Sequence, residues 1–288
     1  MTGSRWLLLS VLLPFSQCLC FSQQEMDDYS SRSEIQADIW AADSLISSGN
    51  TEVLNYRMND FQVAHLNGHE LMLLRNALFA RYGYRFENGI VQSHFQQFSW
   101  YDPRHSDVGS MLNAIDEWNL RLILHYEEHL ENAPAEMPDR NDMTGFWHGS
   151  PAVGSGYSDR IFIFPEGDFV YRKNSMDGAA RLHELSGTWY LDEGHLVLQA
   201  DSAVYLAGGE IREPHTSYAS EYIIEGGERS AVAIVPVEVF RLPVDDFASD
   251  YSAVADEEGY EHLTVPYARI GISWYWRMSS DPSAEHLH

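Results

Sequence analysis

The sequence predicts an α+β protein, a small helical N-terminal domain followed by an antiparallel β-barrel or sandwich, and three observations carry that prediction. Apolar residues recur at spacings of three and four along the first 131 residues, the period of a helix with one buried face. The stretch NAPAEMPDRNDM, residues 132–143, sets two prolines among charges and breaks any period, as a linker does. Beyond it come short runs of Tyr, Phe, Val and Ile closed by glycine turns, as in RIFIFPEGDFVYRK and GTWYLDEGHLVLQ, which is hairpin texture. Hydrophobic residues make up 44% of the chain, enough for a packed core and too many for a disordered one.

Residues 1–22 read as a secretory signal peptide. Arg5 precedes the apolar run WLLLSVLLPF, which is too short to span a bilayer as a helix. Cleavage is expected after Ser22, or else after Cys20. Both cysteines then leave with the signal, so the exported chain has no disulfide and no thiolate ligand. Acylation of Cys18 or Cys20 is the competing reading, although the residues before each fit a lipobox poorly.

Residues 23–59 are expected to hold a polar leader and a first helix, with Ile35, Ile39, Ala42 and Ile46 on one face and Gly49-Asn50 as its stop. A second helix opens near Asn67, carries Leu71, Leu74 and Leu78, and ends at Gly83, where glycine suits a left-handed cap. A third runs from residue 90 to 98. The longest covers 107–131, with Leu112, Ile115, Asn119, Leu122 and Tyr126 as its stripe. Residues 144–288 form the β domain, with strands expected at 145–148, 160–164, 169–173, 180–185, 187–191, 195–199, 203–206, 220–224, 231–240 and 268–277. TGFWHGS at Thr144 and SGTWYLD at Ser186 form an internal echo that places Gly-x-Trp at the start of two strands.

The formal charge is −25, from 43 acidic and 18 basic side chains, which excludes a phosphate-neutralising nucleic-acid surface. No nucleophile elbow, phosphate-binding glycine loop or H-E-x-x-H string is present, so no catalytic residue is assigned and the protein is not expected to be an enzyme. His125-Tyr-Glu-Glu-His129 has the H-x-x-E-H order of inverted zinc proteases. In a chain this rich in His and acids it reads as a helix end whose imidazoles complement the dipole, so no metal and no cofactor is expected. His65 and His69 flank Asn67-Gly68 and read as surface histidines. The acidic stretch 244–262, with Asp245, Asp246, Asp250, Asp256, Glu257, Glu258 and Glu261, reads as a solvated loop and lacks the residue order of a calcium loop. Trp274-Tyr275-Trp276 puts two tryptophans on one face of a strand and a tyrosine on the other, with large side chains filling a barrel core as the simpler reading.

LRNALFARYGYRF at 74–86, QQFSWYDP at 96–103 and IDEWNLRLI at 115–123, in that order, resemble the YARHG domain family, over about residues 60–131. Phe79-Ala80-Arg81-Tyr82-Gly83 stands where its name-giving pentapeptide belongs, with Phe79 for the leading tyrosine and Tyr82 for the histidine. The resemblance implies an extracellular bacterial module, found joined to other domains, with no established molecular function. Arg75, Asn76, Phe79, Arg81, Tyr82, Gly83, Trp100 and Tyr101 are its candidate binding residues. Arg81 projects from the apolar stripe of its own helix, so a buried clamp onto a carbonyl, Asp116, Glu117 or Asn119 is favoured over ligand binding. The Gly-x-Trp opening at Gly145 also resembles lipocalin-like barrels. The expected function is non-catalytic binding or scaffolding of envelope components such as peptidoglycan, with no nucleic-acid partner and no transmembrane helix in the exported chain. A carrier of a small apolar ligand in the barrel is the alternative, and a metal-assisted or other hydrolase the third.

Overall fold

A computed structural model of the protein describes residues 40–131, 138–151, 158–174, 180–212, 223–252 and 264–284. The signal, with Cys18 and Cys20, the leader, Ile35 and Ile39, and much of the linker lie outside these residues.

The helical half begins with α1 (Ala41–Ser48), which buries Ala42 and Leu45 and ends at Gly49 with φ 74°. A short 3-10 turn (Thr51–Asn55) and a second one (Asp60–Gln62) lead to α2 (Gly68–Ala80). Asn67 caps α2 by accepting from the Glu70 N–H while the Glu70 carboxylate accepts from the Asn67 N–H, a reciprocal box that stabilises such an end by about 1 kcal/mol. α3 (Gly89–Phe95) stops three residues before the expected end. α4 (Ala114–Glu131) begins seven residues later than its periodicity suggests. The Asn113 side chain accepts from the N–H groups of Ile115 and Asp116 and fixes the start there. The buried face of α4 therefore carries Asp116, Asn119, Leu122, Ile123 and Tyr126, with Ile115 only half-buried beside it.

The expected linker ends in a helical turn, α5 (Arg140–Met143), capped by Asp139. Met143 is fully buried and its carbonyl accepts from the Trp147 indole at 2.7 Å, so the end of this stretch is anchored in the β core.

Among the described residues the β half has ten strands: β1 (Gly145–His148), β2 (Arg160–Ile163), β3 (Asp168–Arg172), β4 (Leu182–Asp192), β5 (His195–Ala207), β6 (Glu210–Arg212), β7 (Ile223–Glu225), β8 (Glu228–Ser252), β9 (Thr264–Ile270) and β10 (Ser273–Ser279). Eight of them form one antiparallel sheet in the order β1-β10-β9-β8-β5-β4-β3-β2, and because β1 also pairs with β2 the sheet closes into a barrel. β6 and β7 form a small separate hairpin between β5 and β8.

Three expectations change. The segments read as 180–185 and 187–191, and as 195–199 and 203–206, are single long strands carrying bulges, because a bulge breaks the apolar alternation without ending the pairing. The segment 268–277 is two strands around Gly271, whose φ of 62° makes the turn. The first part of the acidic stretch belongs to β8, which leaves β5 after Pro243 and pairs with β9 from Val244 onward. Residues 253–263, with Asp256, Glu257, Glu258 and Glu261, lie outside the described residues, as do 220–222 of the strand expected at 220–224.

The internal echo has a structural basis. Gly145 and Gly187 both take positive φ where a Cβ would meet a backbone oxygen of the neighbouring strand, at 2.3 Å and 2.0 Å. Two residues on, Trp147 and Trp189 both point into the core and donate their indole N–H to carbonyls, of Met143 and Phe164. The Gly-x-Trp pattern thus combines a close strand approach with a core indole.

The two halves share one apolar core. Phe61, in the second 3-10 turn, packs edge-on against Tyr171 of β3, with ring centroids 4.5 Å apart, and against Phe240 of β8, at 5.1 Å. β3 and β8 are separated in the sheet by β4 and β5, so a ring that touches both sits inside the barrel. Burying a phenylalanine in this way contributes roughly 2 to 3 kcal/mol. Trp147, Phe169, Trp189, Tyr205, Phe240 and Tyr275 are buried in the same core.

Candidate functional site

The pentapeptide residues act on the chain segment that enters the barrel. Arg81 donates to the Leu54 carbonyl at 2.7 Å and pairs with Asp116 at 3.3 Å. Asp116 is fully buried and also accepts from the Tyr82 hydroxyl at 2.7 Å and from the Asn113 N–H at 3.0 Å. Burial, together with the Asp116 carboxylate, holds the Tyr82 hydroxyl above its usual range. Tyr82, which stands at the family's histidine position, supplies an O–H donor to Asp116. One turn along α4, the Asn119 side chain accepts from Met58 N–H and donates to the Tyr56 carbonyl, while the Trp118 indole donates to the Met58 carbonyl. Residues 54–58 are therefore held at four backbone groups, and this strap leads directly to Asp60 and Phe61. The clamp expected for Arg81 is present, with Asp116 as its carboxylate.

The other candidate residues are engaged within the fold as well. Arg75 pairs with Glu127 at 3.1 Å, and Asn76 donates back to the Met72 carbonyl within its own helix. Phe79 packs against the core near Tyr84. Gly83 has φ 74°, and a Cβ there would lie 2.6 Å from the Asp102 carbonyl oxygen. The Trp100 indole donates to the Gly49 carbonyl, and the Tyr101 hydroxyl to that of Tyr84.

The seam between the halves holds the titratable groups with displaced pKa values. One oxygen of Asp60 accepts from the Ile272 N–H and from the Tyr126 hydroxyl, both at 2.8 Å. Burial outweighs these two bonds and pushes the carboxyl up to about 6. His125 lies on the same helix and its Nε2 is 2.8 Å from the Gly271 carbonyl. Burial, with Arg269 and His129 nearby, pushes it down to about 4. One helical turn later, His129 sets Nδ1 2.8 Å from the His125 carbonyl and Nε2 3.0 Å from Asp245 of β8. Burial raises the Asp245 carboxyl, with Arg269 and His129 opposing. His195, at the turn between β4 and β5, is lowered by burial. The reading of 125–129 as a plain dipole complement saw the two imidazoles but not the strand carboxylate, which lies 116 residues further along the chain.

His65 is a correction to the surface reading. It is largely buried, with Nε2 2.7 Å from Asp43 and its ring against Phe240. Burial works against its cation, but the bond and charge of Asp43 prevail and raise its pKa.

On the outside of the barrel, Tyr275 of β10 points inward while Trp274 is 41% exposed. Tyr267 of β9 lies beside Trp274, with ring centroids 5.6 Å apart. The simpler reading of this triplet holds for the tyrosine alone, since the tryptophans face outward.

These features define a helical module docked into the mouth of a closed antiparallel barrel, with its motif residues bonded within the module itself. Residues 50–128 match the family model of the YARHG domain, so the helical half is a YARHG domain. The match begins ahead of residue 60, where the resemblance was placed, and takes in Leu54 and Asn55, both acceptors for Arg81. No curated protein and no solved structure matches the chain. No helix among the described residues is long and apolar enough to cross a membrane.

Proposed function

We propose that the protein is an exported, non-catalytic binding module of the bacterial cell envelope, with peptidoglycan glycan or peptide as its ligand. The observation that carries this reading is the outward aromatic face of β9 and β10, where Trp274 stands exposed beside Tyr267. A tryptophan presented on a rigid strand offers a flat apolar face for a sugar ring or an apolar side chain. The buried aromatic side chains of the barrel core support this reading over the carrier. The negative charge supports a ligand that is not itself strongly anionic. The leader at residues 1–22 and the YARHG domain support the export.

The test is retention of the purified protein on insoluble sacculi, with Trp274→Ala beside the wild type. The expected result is several-fold weaker retention of the variant at an unchanged melting temperature. Equal retention of both would reject the aromatic face, and no retention of the wild type would reject the cell-wall ligand.

A further inference from the structure

We propose that His125, His129 and Asp245 form a binding site for a divalent cation of the zinc class, which ties the YARHG helix α4 to strand β8 of the barrel. One ring nitrogen of each histidine and one oxygen of Asp245 lie within 4.8 Å of one another. The histidines are four residues apart on one helical face, a spacing that lets two imidazoles share an ion. Asp245 comes from the point where β8 changes partners. Asp246 there takes φ 50°, and the pairing with β9 is bulged, an irregularity of the kind that re-aims side chains.

The hydrogen bonds settle which nitrogens are available. A carbonyl oxygen only accepts, so His129 Nδ1, facing the His125 carbonyl, carries a proton, and so does His125 Nε2, facing the Gly271 carbonyl. In the neutral rings the lone pairs then sit on His129 Nε2 and His125 Nδ1. This is the arrangement that orients metal-bound histidines, each donating its other N–H to a fixed acceptor. His129 Nε2 and Asp245 Oδ2 lie 3.0 Å apart, a contact that either a proton on Nε2 or a metal cation beside both atoms makes favourable. Two ligands bound tetrahedrally to zinc are separated by about 3.3 Å, close to this spacing. The second Asp245 oxygen is buried without a hydrogen-bond partner.

Arg269 stands opposite Asp245 in the β8–β9 register and Asp246 follows it. The local charge is therefore only weakly negative, and retention depends on the imidazoles. That selects a nitrogen-preferring ion over calcium or magnesium. A proton held between His129 and Asp245 would satisfy the same contact, and titration separates the two.

Chelator-treated full-length protein is titrated with zinc chloride by calorimetry, melted with and without zinc, and loaded with cobalt(II) to record its visible spectrum. His129→Gln and Asp245→Asn, which preserve size, are compared with a double variant, His286→Ala with His288→Ala, that removes the histidines nearest the C-terminus. The expected result is one equivalent bound, a melting temperature higher by several degrees, a tetrahedral cobalt spectrum, and affinity at least ~10-fold lower in either seam variant but unchanged in the C-terminal one. Absence of binding in the wild type would overturn the proposal. So would binding unaffected by both seam variants, or binding lost in the C-terminal variant.

Discussion

Asp60→Asn should stabilise the protein, and by an amount that grows with pH. The carboxyl titrates near 6 in the fold and near its ordinary 3.8 in the unfolded chain. The folded state therefore favours the protonated acid. Its contribution is fully present below pH 3.8, falls as pH rises toward 6, and is a constant penalty above that. A gap of about two units at 1.36 kcal/mol each makes the penalty about 3 kcal/mol at pH 8 and about half a kcal/mol at pH 4. Asparagine keeps an oxygen for the Ile272 N–H and the Tyr126 hydroxyl and has no charge to desolvate. Any cost of fitting its amide beside Gly271 is independent of pH, so the change with pH isolates the electrostatic part. Urea unfolding of both proteins at pH 4, 6 and 8, followed by tryptophan fluorescence, measures the difference. A difference that stayed constant across this range would show that Asp60 ionises as if in water, and would refute its burial against the barrel mouth.

Two further substitutions probe the docking. Arg81→Ala leaves Asp116 buried without its cation and frees the Leu54 carbonyl. A cost of about 2 to 3 kcal/mol is expected, discounted for the part-exposed guanidinium, and thermal melting should show it as a loss of several degrees. An unchanged melting temperature would mean that the strap does not depend on the clamp. Gly83→Val sets a branched side chain at positive φ and against the Asp102 carbonyl, and should destabilise by more than 2 kcal/mol in urea unfolding regardless of any ligand. A smaller effect would show that the 83–104 turn relaxes.

The fold class was legible because its signals are local. Helical spacing with capping residues such as Asn67, and hairpins at glycine turns, need only neighbouring residues to be read. The errors fall where a distant or irregular feature takes over. The bulges in β4 and β5 broke an alternation that the pairing survives. Asn113 capped α4 inside a continuous apolar period. For the site, the Arg81–Asp116 clamp was readable because a charge on an apolar stripe demands a partner. Asp60, His65 and Asp245 were not, since their environments are made by strands far along the chain. Asp60 had one faint signal, an acid directly before a phenylalanine that must be buried.

The strap that carries Phe61 into the barrel also makes the two halves mutually dependent. The YARHG domain, residues 50–128, precedes every described strand of the barrel in the sequence. The β1–β10 pairing that closes the sheet joins residues 146–148 to 276–279, which lie far apart in sequence. Phe61 braces Tyr171 and Phe240 from within that sheet. A barrel released without its N-terminal half would present an apolar opening to solvent. The helical half thus supplies part of the barrel's own core.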